Sequence, residues 1–295
     1  MYRVGDIAVK AEHSHSQNIW ELTLFAAAIG RETSVRLLVP NGWEPGAARR
    51  WPTLFLLHGG DDDPTCWTRK TDILQRAVDS GVLVVCPSGG KAGFYTDWRA
   101  PDSHGTTPAW GRYTGHDLPA LIEARYGGGH RIGVAGVSMG GYGAVTLAAR
   151  HPGRFAVAAS YSGMVRTTGR GTSLLLGHFL RSVGERVDAM WGRPRLAHRA
   201  RWRAADPMTM AAALIDTPVY LAVGDGTRVP GDPPAPGDRL LERIVAPMTR
   251  AFADRLETHG VTFHLSVGPG THDWPSWQRE LTRSWPFLTE ALTIR

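Results

Sequence analysis

Cysteine is almost missing from this chain of 295 residues; it occurs only at Cys66 and Cys86. Two thiols make neither a disulfide framework nor a structural metal set. Cys86 closes the apolar run Val82-Leu83-Val84-Val85-Cys86 and reads as a small core residue. Lysine is scarce too: the net charge is +6 and nearly all the basic residues are arginine. The arginines are scattered, densest from Arg193 to Arg203, and no nucleic-acid module accompanies them, so a nucleic-acid partner is not expected. Long apolar runs are absent. Leu22 to Ile29 is too short to cross a bilayer, and no membrane span is expected. The N-terminus lacks the charged-then-apolar pattern of a secretion signal. The chain as it stands is therefore expected in the cytoplasm, with secretion open if a leader has been removed. No Pro/Ser linker, internal repeat or long charge run divides it, which suits one domain over residues 1–295. His13 and His15 have no third ligand at usable spacing and read as solvated, and Asp61-Asp62-Asp63 reads as a polar loop. No metal and no organic cofactor are called for.

What is present is alternation. Residues 19–29 and 33–40 read as a hairpin turned near Gly30-Arg31. Apolar runs at 53–57, 82–86, 131–135, 156–160, 218–223 and 261–267 read as strands. Helical spacing falls at 69–80, 116–126, 140–150, 240–258 and 276–291, with Asp117 and Pro119 marking the start of the second. The pattern predicts an α/β fold: a mostly parallel, doubly wound sheet flanked by helices. Residues 164–213 interrupt it as a helical excursion rich in Trp and Arg. It reads equally as a lid or substrate wall and as a structural detour.

Chemistry enters at Gly136-Val137-Ser138-Met139-Gly140, which follows the run Arg131 to Ala135 and can open a helix. Gly-x-Ser-x-Gly between strand and helix is the nucleophile elbow of α/β-hydrolases. There the serine sits on a strained turn with its hydroxyl exposed, and the glycines remove side chains that would collide. Upstream, Trp51 to Leu57 ends in His58-Gly59-Gly60-Asp61. A loop at that place donates one backbone N–H to an oxyanion hole, here Gly60 with Gly59 second, and the residue after the nucleophile, Met139, donates the other. Downstream, Gly270-Thr271-His272 follows the last strand, where this fold keeps its base.

Short matches in order carry a family likeness from about residue 51 to the end: Phe94-Tyr95-Thr96-Asp97-Trp98, the elbow, Met190-Trp191-Gly192, Asp206-Pro207-Met208, and Thr271-His272-x-Trp274-Pro275-x-Trp277. The chain resembles the esterase D superfamily and within it the mycolyltransferase branch. That resemblance implies a serine nucleophile at Ser138, a histidine base at His272 and a site wall at Trp274, with Asp97 and Trp98 near the site. It also implies that the triad acid is a glutamate on a helix, because Leu240-Leu241-Glu242 is similar to the branch's Phe-Leu-Glu. The wider fold instead puts the acid just after the strand at 218–223, so Asp225, Asp232 and Asp238 stay open beside Glu242. Trehalose-using members have an acidic residue and an arginine where this chain has His58 and Asp61, residues that contact the sugar in the family.

These residues lead to a serine hydrolase expectation, in which a carboxylic ester is cleaved through an acyl-enzyme on Ser138. The alternative is an acyltransferase that passes the acyl group to an alcohol, a sugar or a biosynthetic intermediate. A small or lipid-like ester is the expected partner. A non-catalytic binding protein on the same fold would be expected to have lost the serine or the histidine, and both are present.

Overall fold

The computed structural model describes residues 2–194, 196–233 and 236–293. Ten strands form one sheet: β1 (Tyr2–Val4), β2 (Ile7–Ser16), β3 (Ile19–Ala26), β4 (Arg31–Leu38), β5 (Trp51–Leu57), β6 (Leu83–Pro87), β7 (Gly128–Val137), β8 (Phe155–Tyr161), β9 (Val219–Gly224) and β10 (Phe263–Gly268). Their order is β1-β2-β3-β4-β6-β5-β7-β8-β9-β10. The first four strands are antiparallel, β4 meets β6 antiparallel, and every pair from β6 to β10 is parallel.

The parallel strands are apolar on both faces because both are covered. In β5, Phe55 and Leu57 join one core while Leu54 and Leu56 join the other. β6 splits the same way, Leu83 and Val85 against Val84 and Cys86. Helices Leu118–Arg125, Met139–Arg150 and Pro236–Thr258 cover the first face; Cys66–Lys70, Ile73–Ser80 and Trp274–Thr293 cover the second. Each of the five expected helical stretches overlaps one of these. Both cysteines are free and buried, and burial pushes the Cys86 thiol up to about 12.

The structure corrects the reading of the N-terminal segment. Residues treated as merely polar are strands β1 and β2. β2 buries only Ile7 and Val9 before turning outward from Lys10 to Ser16, so no apolar alternation announces it. His15 lies 3.0 Å from Glu21 on the neighbouring strand. The excursion at 164–213 holds helices Thr172–Ser182, Arg199–Ala204 and Pro207–Met210. Asp206 ties it together: its carboxylate caps the last of these by accepting the Met208 N–H at 3.0 Å and also takes the Thr168 N–H at 2.8 Å. No helix among the described residues is long and apolar enough to cross a membrane.

Candidate active site

β7 runs straight into the helix Met139–Arg150, and the single residue between them, Ser138, has φ 53° and ψ −114°. A left-handed φ on a non-glycine residue costs of order 1–3 kcal/mol and persists only where the surroundings impose it. Here the Ser138 N–H donates to Tyr161 O at 2.8 Å, and both flanking glycines are forced. A Cβ on Gly136 would lie 2.5 Å from the Gly140 backbone, and one on Gly140 would lie 2.4 Å from Leu57 O. The first intrahelical bond is Tyr142 N–H to Ser138 O, which leaves the N–H of Met139 among the orphan donors of the helix start.

His272 comes from the loop between β10 and helix Trp274–Thr293. Asp273 caps that helix by accepting the Ser276 N–H at 3.0 Å, and Asp238 O accepts the His272 N–H at 3.1 Å. His272 is 7% exposed, with its ring Nε2 2.8 Å from Ser138 Oγ and Nδ1 2.8 Å from Glu242 Oε2. A carboxylate only accepts, so Nδ1 carries the proton and Nε2 accepts the serine O–H. Glu242 lies on helix Pro236–Thr258 and is 0% exposed. Its second oxygen takes the Gly224 N–H at 2.5 Å and the Ser162 O–H at 2.7 Å. The other acid candidates make no hydrogen bond to the His272 ring. Asp225 is exposed and accepts the Thr227 N–H at 2.6 Å. Asp232 pairs with Arg279 at 2.9 Å. Asp238 faces the same cavity as His272 but offers it a backbone carbonyl, while burial raises its carboxyl above the usual range.

Four residues read as substrate contacts divide in the structure. Trp274 lines the cavity, with its ring 5.2 Å from that of Trp277. The other three do not, which is a correction. His58 is 1% exposed and engaged on both nitrogens: Nδ1 donates to Gly59 O at 2.6 Å and Nε2 accepts the Gly89 N–H at 2.8 Å. Burial pushes its pKa down, so it is a neutral strut beneath the glycine loop. Asp61 turns to solvent beside Lys91 at 3.5 Å, and Asp62 lines the cavity instead. Trp98 is buried elsewhere, donating its indole N–H to Gly93 O at 3.3 Å. Asp97 is exposed and accepts the Arg112 N–H at 3.1 Å.

Gly60, Ser138 and Met139 all line one cavity of about 510 Å³. Among the described residues, neither the Gly60 nor the Met139 N–H has an intramolecular acceptor. The walls are mainly apolar, with Phe94, Met164, Leu176, Phe179, Leu241 and Val245 among the lining residues. Helix Thr172–Ser182 supplies several of them, so the excursion forms part of the cavity wall. Phe179 presses on the glycine loop so closely that a Cβ on Gly60 would lie 2.4 Å from its ring tip.

Sequence reasoning missed Ser162 and Phe179. The segment Ala159-Ser160-Tyr161-Ser162 continues an apolar strand without any motif, and Phe179 is one apolar residue on an amphipathic helix.

The model of the Esterase family matches residues 26–288. The chain belongs to the Esterase family. Among its relatives is the diacylglycerol acyltransferase/mycolyltransferase Ag85B of Mycobacterium leprae, 30% identical over 278 residues that cover 90% of this chain and 81% of the relative. The Ag85B of Mycobacterium avium is 31% identical over 255 residues, covering 82% and 76%. The solved structure of Mycobacterium tuberculosis MPT51 superposes with a TM-score of 0.73 at 25% identity, over 90% of this chain and 96% of that one. An S-formylglutathione hydrolase from Agrobacterium tumefaciens shares the fold, with a TM-score of 0.72 at 17% identity over 96% and 99%. This member of the Esterase family is an enzyme of the α/β-hydrolase type that works on esters, by hydrolysis or by acyl transfer.

Proposed function

We propose that Ser138, His272 and Glu242 are the catalytic triad of a carboxylester hydrolase. The observation that carries this reading is the pair of 2.8 Å hydrogen bonds joining Glu242, His272 and Ser138. As the Ser138 oxygen attacks the ester carbonyl, its proton passes to His272 Nε2. Glu242 holds the Nδ1 proton and stabilises the imidazolium. The N–H groups of Met139 and Gly60 receive the oxyanion, each worth roughly 3–4 kcal/mol of barrier. The imidazolium returns its proton to the leaving alkoxide, and the alcohol departs. Water, deprotonated by His272, then attacks the acyl-enzyme; the acid leaves and Ser138 regains its proton. Residues 1–295 act as one domain in this reading, supported by the single sheet running from Tyr2 to Gly268.

Two observations favour a second reading, in which an alcohol replaces water. The relatives are named acyltransferases, and the cavity walls are mainly apolar, which disfavours water beside an acyl-enzyme. A time course with p-nitrophenyl esters, followed by intact-mass spectrometry with and without glycerol or a sugar, separates the two. Rapid release of free acid, lost in Ser138→Ala, supports hydrolysis. An acyl adduct that clears only when alcohol is supplied supports transfer. Undiminished turnover in Ser138→Ala would sink both.

A further inference from the structure

Ser162 sits just past β8 with φ 52°, its N–H fixed to Ala222 O at 2.8 Å. Its hydroxyl oxygen is 2.7 Å from Glu242 Oε1 and 3.1 Å from Trp277 Nε1. The direction of these bonds follows from chemistry alone. An indole N–H can only donate and a carboxylate can only accept. The Ser162 oxygen therefore accepts from Trp277, and its one proton points at Glu242. The donors run Trp277 to Ser162 to Glu242 on one side, and Ser138 to His272 to Glu242 on the other. With Glu242 fully buried, no bulk water stands ready to replace a lost donor. Trp277 also packs edge-on against the His272 ring at 5.1 Å, an aromatic contact that Trp277→Phe keeps while it removes the indole N–H.

We infer that Ser162 and Trp277 are positioning residues, a donor relay that fixes Glu242 as an oriented carboxylate facing His272. This rests on the triad reading above. Neither residue touches the reacting atoms in the proposed mechanism; both act through Glu242. The relay stabilises the state in which Glu242 is anionic and His272 neutral. Once the pair gains a proton, the donor to the anion is worth less. Removing the Ser162 hydroxyl therefore makes the pair easier to protonate, and the acidic limb of the rate profile moves to higher pH.

The test is the pH dependence of kcat and kcat/KM on p-nitrophenyl butyrate for Ser162→Ala, Trp277→Phe and the double variant, with Ser138→Ala and Glu242→Gln as references. Ser162→Ala is expected to lose about tenfold in kcat with KM nearly unchanged, and to raise the apparent acidic pKa by about half a unit or more, the scale of a hydrogen bond to a charged group. Trp277→Phe is expected to move the limb in the same direction by less, and to add little on top of Ser162→Ala, because its effect passes through that hydroxyl. An unshifted limb in Ser162→Ala overturns the inference, and so do effects that simply multiply. If Ser162→Ala proves too unstable to assay, Trp277→Phe decides alone: an unshifted limb overturns the relay. Wild-type turnover in both reference variants would instead overturn the triad reading. Inactive references beside wild-type Ser162→Ala and Trp277→Phe would overturn only the relay.

Discussion

At Ser138 a serine carries a left-handed backbone because two neighbours have no side chains to prevent it. Gly140 and Gly60 differ in what a methyl group would meet. On Gly140 it meets the fixed carbonyl oxygen of Leu57 at 2.4 Å, so the strand or the helix must move. Gly140→Ala is expected to lose about 1–3 kcal/mol of stability and to stop reacting with a serine-directed phosphonate; a wild-type melting curve would contradict this. On Gly60 the methyl group meets the tip of the Phe179 ring, which can swing. Gly60→Ala is expected to melt within a few degrees of wild type yet lose up to about a hundredfold in kcat, because the adjoining N–H shifts relative to the substrate. Loss of stability without loss of turnover would place the role of Gly60 in folding. Glu242→Gln removes the charge that favours the imidazolium. Its kcat is expected to fall by roughly three orders of magnitude or more, with KM much less affected, in a steady-state assay.

Helix Thr172–Ser182 gives the cavity part of its apolar wall. Leu175, Leu176 and Phe179 turn toward the cavity, while Leu174 is left 78% exposed. Glycines with positive φ stand before and after it, Gly171 at 79° and Gly184 at 84°. Phe179 also contacts Phe94 edge-on at 6.0 Å, closing the apolar wall beside the glycine loop. Truncating it enlarges the space next to Ser138. Phe179→Ala is expected to raise kcat/KM for p-nitrophenyl decanoate relative to butyrate, read as a ratio across an ester series. An unchanged ratio would show that the acyl chain lies elsewhere in the cavity.

Over the whole molecule, buried His58 and half-buried His151 set a pH response. Burial lowers the pKa of His58, and burial with neighbouring cationic groups lowers that of His151. Both bind protons less readily folded than unfolded. The stability they contribute is complete above the ordinary histidine value of about 6.5 and drains away as pH falls through their lower folded values. The melting temperature is therefore expected to hold between pH 8 and 7 and to decline as pH drops below about 6.5, ahead of carboxylate titration. A flat melting temperature down to pH 5 would argue against this. The exposed ion pairs, such as Arg76 with Asp72 at 2.7 Å, add little at physiological salt.

The sequence by itself determined the parallel half of the sheet, the elbow and the histidine loop, because each depends on local pattern: runs of apolar residues, glycines at fixed offsets, a histidine after the last strand. It did not reveal β2, whose residues after Val9 face solvent and carry no alternation. Nor could spacing alone choose among Glu242, Asp225, Asp232 and Asp238; resemblance favoured Glu242, and packing brings its carboxylate to the His272 ring. His58 and Asp61 flank the glycine loop in sequence, yet one points into the core and the other into water. Ser162 and Trp277 are 115 positions apart and meet over Glu242 only when β8 and the last helix pack together. Hydrogen-bond partners separated by such distances are fixed by packing, which no local pattern records.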